Sequence, residues 1–177
     1  MKIINQVFII VILLLLSFEH AAAQKQSDKA FSMMQTEHAE VLKTWLKTKP
    51  NLRPATEADC KNKAGLKLQR EGEDANYQPY YLASDFSGDK KTDFAVAFID
   101  TKKRAGSNFI LVIFNRAKNG FQQAHYRTNL DLRQSGFYLW SDEPPRLAVG
   151  EFQTDNCGYF RWTGKKYVAE DCEAGEN

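Results

Sequence analysis

The sequence predicts an α+β fold: an N-terminal amphipathic helix packed on a mainly antiparallel β-meander or small barrel. Three observations predict it. Apolar residues recur at three- and four-residue steps before residue 47 and lose that spacing afterwards. Beyond Gly65, short runs rich in aromatic and β-branched residues alternate with turn clusters such as "SGDKK", "RAKNG", "SDEPP" and "TGK". The connections between those runs are too short for crossovers, so neighbouring strands must be antiparallel.

The elements follow in order. A helix is expected over Ser27–Lys47, with Phe31, Met34, His38, Val41, Leu42 and Trp45 on one face. Ser27 or Asp28 can cap its start, and Pro50 lies just past its end. No second His or Cys sits one turn from His38, which makes it a packing residue rather than a ligand. Thr56 can cap a short helical turn carrying Cys60. Strands are expected near Leu66–Arg70, Tyr80–Ser84, Phe94–Asp100, Phe109–Phe114, Phe121–Arg127, Phe137–Trp140, Arg146–Phe152, Gly158–Trp162 and Tyr167–Glu170. Residues 173–177 ("EAGEN") read as a frayed tail.

The first residues read as an address. Lys2 is followed by ten unbroken apolar residues, Val7–Leu16, and then by "SFEHAAAQ" with small residues at Ala21 and Ala23. That is a secretory signal cleaved after Ala23, and the apolar run is shorter than the roughly 20 residues a membrane span needs. The expected layout is a signal peptide at 1–23, one α+β domain at 24–172, a secreted or periplasmic location, and no stable membrane insertion after cleavage. The formal net charge is +2 with acids and bases interspersed, which leaves no basic face for nucleic acid. Three cysteines enter an oxidising compartment: Cys60, Cys157 and Cys172. If Gly164-Lys165 form a two-residue hairpin loop, Trp162 faces Tyr167, Phe160 faces Ala169, and Cys157 falls opposite Cys172. That register favours a Cys157–Cys172 bridge with Cys60 left over. The rival pairing bonds Cys60 to one of the two.

One stretch carries chemistry. "DFSGDKKTD", residues 85–93, repeats oxygen-bearing side chains at the spacing a hard cation needs. The candidate metal ligands are the carboxylates of Asp85, Asp89 and Asp93, the hydroxyl of Ser87 and the backbone carbonyl of Lys91. The run "DFSGDKKTDFAV" resembles the calcium loop of FG-GAP and VCBS repeats, found in integrin-type propeller blades. The resemblance implies a bound Ca2+ on those five residues, followed by an apolar strand at Phe94–Val96. Two positions depart from the pattern. Ser87 stands where the family has Asn or Asp, and Lys90 stands at the bend where the family has Gly. Val96 occupies the place of an EF-hand's final acid, so the loop is not an EF-hand. The competing reading keeps only the turn, with Asp side chains capping backbone amides and pairing with the lysines. A degenerate echo, "AVGEFQTDNCGYF", places Glu151, Phe152 and Asp155 like Asp85, Phe86 and Asp89.

No His-Glu-x-x-His, Gly-x-Ser-x-Gly or glycine-rich phosphate loop occurs. The expected function is therefore an exported, non-enzymatic binding or accessory domain of the cell envelope that meets a protein or carbohydrate ligand. The alternatives are a carboxylate-dependent envelope hydrolase and an inhibitor of a secreted enzyme. "FYLW" must place residues on both faces of its strand, which exposes one of its aromatics as part of a binding surface.

Overall fold

The computed structural model describes residues 27–140 and 143–172. The expected signal peptide and the tail 173–177 lie outside the described residues. After helical residues 27–32 come α1 (Thr36–Leu46), β1 (Leu52–Pro54), a 3-10 turn (Glu57–Asp59), α2 (Lys63–Gly72), β2 (Tyr81–Ser84) and β3 (Asp93–Asp100). Then follow β4 (Phe109–Ala117), β5 (Gly120–Leu130), β6 (Ser135–Trp140), β7 (Arg146–Glu151), β8 (Cys157–Trp162) and β9 (Tyr167–Asp171). The strands build two antiparallel sheets rather than one meander or a barrel. The first has the order β1-β3-β4-β5 with β2 also on β3, and the second runs β6-β7-β8-β9.

β1 and β2 share one edge of β3, end to end. Leu52, Arg53 and Pro54 oppose Asp100, Ile99 and Phe98, and Tyr81 to Ser84 oppose Val96 to Asp93. The junction falls on a single residue. The Ala97 amide donates to the Tyr80 carbonyl at 2.9 Å, and the Ala97 carbonyl accepts the Ala55 amide at 2.9 Å.

β3 and β4 read as unbroken apolar runs because both of their faces are covered. Phe94, Val96, Phe98, Ile110, Val112 and Phe114 face α1, where Leu42 is fully buried and Trp45 packs at 5.0 Å from the Phe98 ring. Ala95, Ala97, Ile99, Leu111 and Ile113 face the second sheet and meet Phe137, Leu147, Phe160 and Tyr167. The layers are thus helix, sheet, sheet. Each side chain of this size stabilises the fold by roughly 1.5–3 kcal/mol when fully buried.

Two expected elements differ. The helix is not continuous over Ser27–Lys47: it breaks at residues 33–35, and the Gln35 amide donates to the Tyr81 hydroxyl at 3.3 Å. Tyr81 therefore satisfies the start of α1, which has no side-chain cap of its own. The expected strand at Leu66–Arg70 is the helix α2. Leu66 and Leu68 imitate the period of two, yet Leu66 is 2% exposed and Leu68 is 51% exposed, as on opposite sides of a helix. Asn62 caps α2 by accepting the Gly65 amide at 2.8 Å. A Cβ at Gly65 would lie 2.5 Å from the Phe152 Cβ, so the glycine lets α2 approach the β7–β8 turn.

Cys157 and Cys172 form a disulfide across the β8–β9 hairpin with a Cα–Cα distance of 5.4 Å. Trp162 opposes Tyr167 and Phe160 opposes Ala169, the register expected from the two-residue loop. Cys60 is free and buried, and burial pushes its thiol pKa up.

Candidate functional site: the polar loop and the cleft between the sheets

The loop between β2 and β3 is held from inside. Asp85 turns its carboxylate onto three backbone amides: Gly88 at 2.7 Å, Asp89 at 3.0 Å and Lys90 at 2.7 Å. Asp93 is fully buried, and its two oxygens accept the amides of Ser87 and Arg116, both at 2.8 Å. Burial pushes the Asp93 carboxyl up, against those hydrogen bonds. Asp89 accepts the Lys91 amide at 3.0 Å and the Lys91 ammonium at 2.7 Å. That ammonium holds the Asp89 carboxyl below the usual range. Lys90, at the position of the family's bend glycine, takes the left-handed conformation with φ +64°.

Tested as a calcium shell, these residues do not fit in this arrangement. Asp85 and Asp93 point at different sets of amides, and Asp89 already holds a cation, its neighbour's ammonium. Among the described residues no three His, Cys, Asp or Glu side chains converge on one point. A Ca2+ ion would have to displace Lys91 from Asp89 and draw the Asp85 and Asp93 carboxylates off the backbone amides they accept. The expected result of a titration to millimolar CaCl2 is no rise in melting temperature. A rise that Asp89→Ala abolishes would restore the calcium reading.

What the loop does hold is a core residue. Phe86 is 1% exposed and belongs to the buried cluster that also holds Tyr80, Ile113 and Phe160. The echo at Glu151–Phe152 repeats this placement: Phe152 is 3% exposed and joins the same cluster from the β7–β8 turn. The acids differ, since Glu151 accepts the side-chain amide of Asn156 at 3.3 Å rather than backbone amides of its turn.

A concave site lies elsewhere. A cleft of about 510 Å3 opens between β5, an edge of the first sheet, and β8–β9 of the second. Its floor is apolar, with Leu111, Leu130, Val149 and Phe160, and its rim is charged. Arg127 opposes Leu111 on the inner face of β5, and its guanidinium lies 5.9 Å from the Phe160 ring. Glu151 and Asp171 line the second sheet's side. Bulges in β5 beside Leu111 and Phe114 shift its alternation, so that His125 and Arg127 turn inward while Gln123 and Tyr126 lie over α1's face. The sequence "QQAHYRTNL" does not reveal the bulges that aim these polar residues inward.

The two histidines away from the expected signal are packing groups. His38 is 1% exposed, stacks on Phe94 at 4.2 Å and places Nδ1 2.8 Å from the Tyr81 hydroxyl. Burial lowers its pKa to about 4. His125 packs on Phe160 at 5.0 Å, and burial lowers its pKa too. In "FYLW", Phe137 is buried, while Trp140 is 37% exposed on the outer face. There Trp140 stacks on Tyr159 at 6.0 Å, and the Arg146 guanidinium lies 4.6 Å from the same Tyr159 ring.

Among the described residues no helix is long and apolar enough to cross a membrane. Comparison with protein-family models, with curated proteins and with solved structures finds no match to this chain.

Proposed function

We propose that this chain is an exported, non-enzymatic binding domain of the cell envelope, and that it takes its ligand in the cleft between the two sheets. The cleft carries the reading. Its volume of about 510 Å3 falls within the range of small-ligand sites, and its lining joins apolar side chains such as Leu130 and Val149 to a larger than usual share of charged ones. The disulfide between adjacent strands suits an oxidising compartment, as does the sequence of residues 1–23.

The test fills the cleft without touching the core. Ala169 lines it from β9 and is solvent-exposed, so Ala169→Trp occludes the floor and leaves the fold intact. A thermal-shift screen of envelope metabolites and glycan fragments should find compounds that stabilise the wild type and not the variant. A ligand at a hundred times its Kd raises stability by about 2.7 kcal/mol. Compounds that stabilise both proteins equally would place the site elsewhere and sink the cleft reading. Mass spectrometry of the exported chain should give an N-terminus at Gln24.

A further inference from the structure

The charges of the cleft define the ligand more closely. Resting on the cleft as the binding site, we infer that its ligand is a short peptide with free termini, zwitterionic at its ends and apolar between them.

Four acids line the cleft, and two are already neutralised. Asp131 is paired with Arg133 at 2.5 Å, and Glu170 is paired with Arg161. Glu151 and Asp171 have no ion pair among the described residues, and neither has Arg127. The lining thus presents one unpaired guanidinium and two unpaired carboxylates around an apolar floor. A guanidinium offers a planar fork matched to a carboxylate, and a carboxylate accepts an ammonium.

The geometry of the sheets separates these charges. Glu151 ends β7 and Asp171 ends β9, with β8 between them. Strands lie about 4.8 Å apart, so the two carboxylates rise from backbones roughly 10 Å apart. That spacing offers two anchor points along one ligand. Arg127 reaches in from the opposite sheet over Phe160. A ligand with a carboxylate at one end, an ammonium at the other and an apolar body offers a partner to each of these groups. A purely anionic ligand would leave Glu151 and Asp171 facing it, and a neutral one would leave every charge unused.

The probe is trileucine with free termini, together with its N-acetylated, its C-amidated and its doubly blocked forms. Binding to the mature protein is read by calorimetry and by amide NMR shifts at Val149 and Gly158 on the cleft floor. Each single block should weaken binding about tenfold, the equivalent of roughly 1.4 kcal/mol. Arg127→Gln should erase the penalty of C-amidation alone. Glu151→Gln combined with Asp171→Asn should erase the penalty of N-acetylation alone. All three positions lie at the cleft's rim, outside the buried core, so the variants keep the fold. Binding of the free and doubly blocked peptides within twofold of each other overturns the inference, as does the absence of any trileucine binding at millimolar concentration. Phenol and cyclohexanol, run in the same NMR series, separate the two levels. If these neutral compounds shift the cleft amides while trileucine does not, the cleft stands and the ligand class falls. If nothing shifts them, both fall.

Discussion

Phe86→Ala should cost about 3–5 kcal/mol of stability and lower the melting temperature by roughly 6–20 °C. The residue lies in a polar loop, where substitutions are usually mild. Its side chain, however, is 1% exposed and belongs to the core cluster between the two sheets. Truncation removes the burial of a large ring and leaves a void that the sheets on either side cannot close without moving. The loop cannot follow the shrunken side chain inward, because Asp85 and Asp93 fix it through five amide hydrogen bonds. Asp89→Ala, in the same loop, removes an exposed pair and should cost no more than about 1 kcal/mol. Calorimetric unfolding of the two variants gives the comparison. Equal melting temperatures would mean that Phe86 does not join the sheets.

Acid should weaken the fold well before carboxylates titrate, and His38 should account for most of it. Its pKa is 6.5 as an ordinary histidine and about 4 in the fold. The cause is burial first, with the Arg116 charge adding to it and Glu37 opposing it. A depressed pKa means that the unfolded chain takes up the proton first. Its contribution is whole above pH 6.5 and is lost as the pH falls through about 4. Two and a half pH units at about 1.36 kcal/mol each amount to roughly 3 kcal/mol. His125, depressed for the same reason, adds in the same direction. Asp93 works the other way. Its pKa is raised by burial, so its protonation favours the fold at the acid end, where Glu57 and Asp131, both depressed by arginine partners, lose their contributions. Urea unfolding between pH 7 and 4.5 isolates the histidines. His38→Gln keeps a hydrogen-bonding side chain beside Tyr81 but cannot titrate, and it should flatten the slope. Parallel slopes for wild type and variant would rule out His38 as the source.

The strands were legible where their sequence pattern had one cause. β8 and β9 were readable down to the residue pairs because a two-residue loop fixes the register, and the disulfide followed from that register. β3 and β4 were readable as strands, but nothing in "FAVAFI" or "FILVIF" says that one face meets a helix and the other a second sheet. Leu66 and Leu68 misled because two leucines two apart look the same on a strand and on a short helix. β1, three residues long, carries too little pattern to find.

The site divides in the same way. The acids of the loop were conspicuous, since a turn that caps its own amides needs much the same oxygens at much the same spacing as one that holds a metal. Lys90 and Lys91 set this loop apart from the family's pattern: one stands at the bend in place of glycine, and the other pairs with Asp89. The cleft left no trace in the sequence. Arg127, Glu151 and Asp171 come from three strands and two sheets, and only the fold makes them neighbours.

The shared edge of β3 has a consequence for how this chain can change. β1 and β2 continue each other's register, so together they form a single strand interrupted after Ala55 and resumed at Tyr80. Everything between, the 3-10 turn and α2 included, is an excursion whose two ends are fastened to the same residue, Ala97. Lengthening that excursion at its exposed turn, residues 73–76, alters no strand pairing and leaves Cys60, Leu66 and Tyr77 in the core, and doubling a loop's length costs only about 0.6 kcal/mol. That turn is therefore where this architecture can absorb insertions, or accept a grafted one, without renegotiating its sheets.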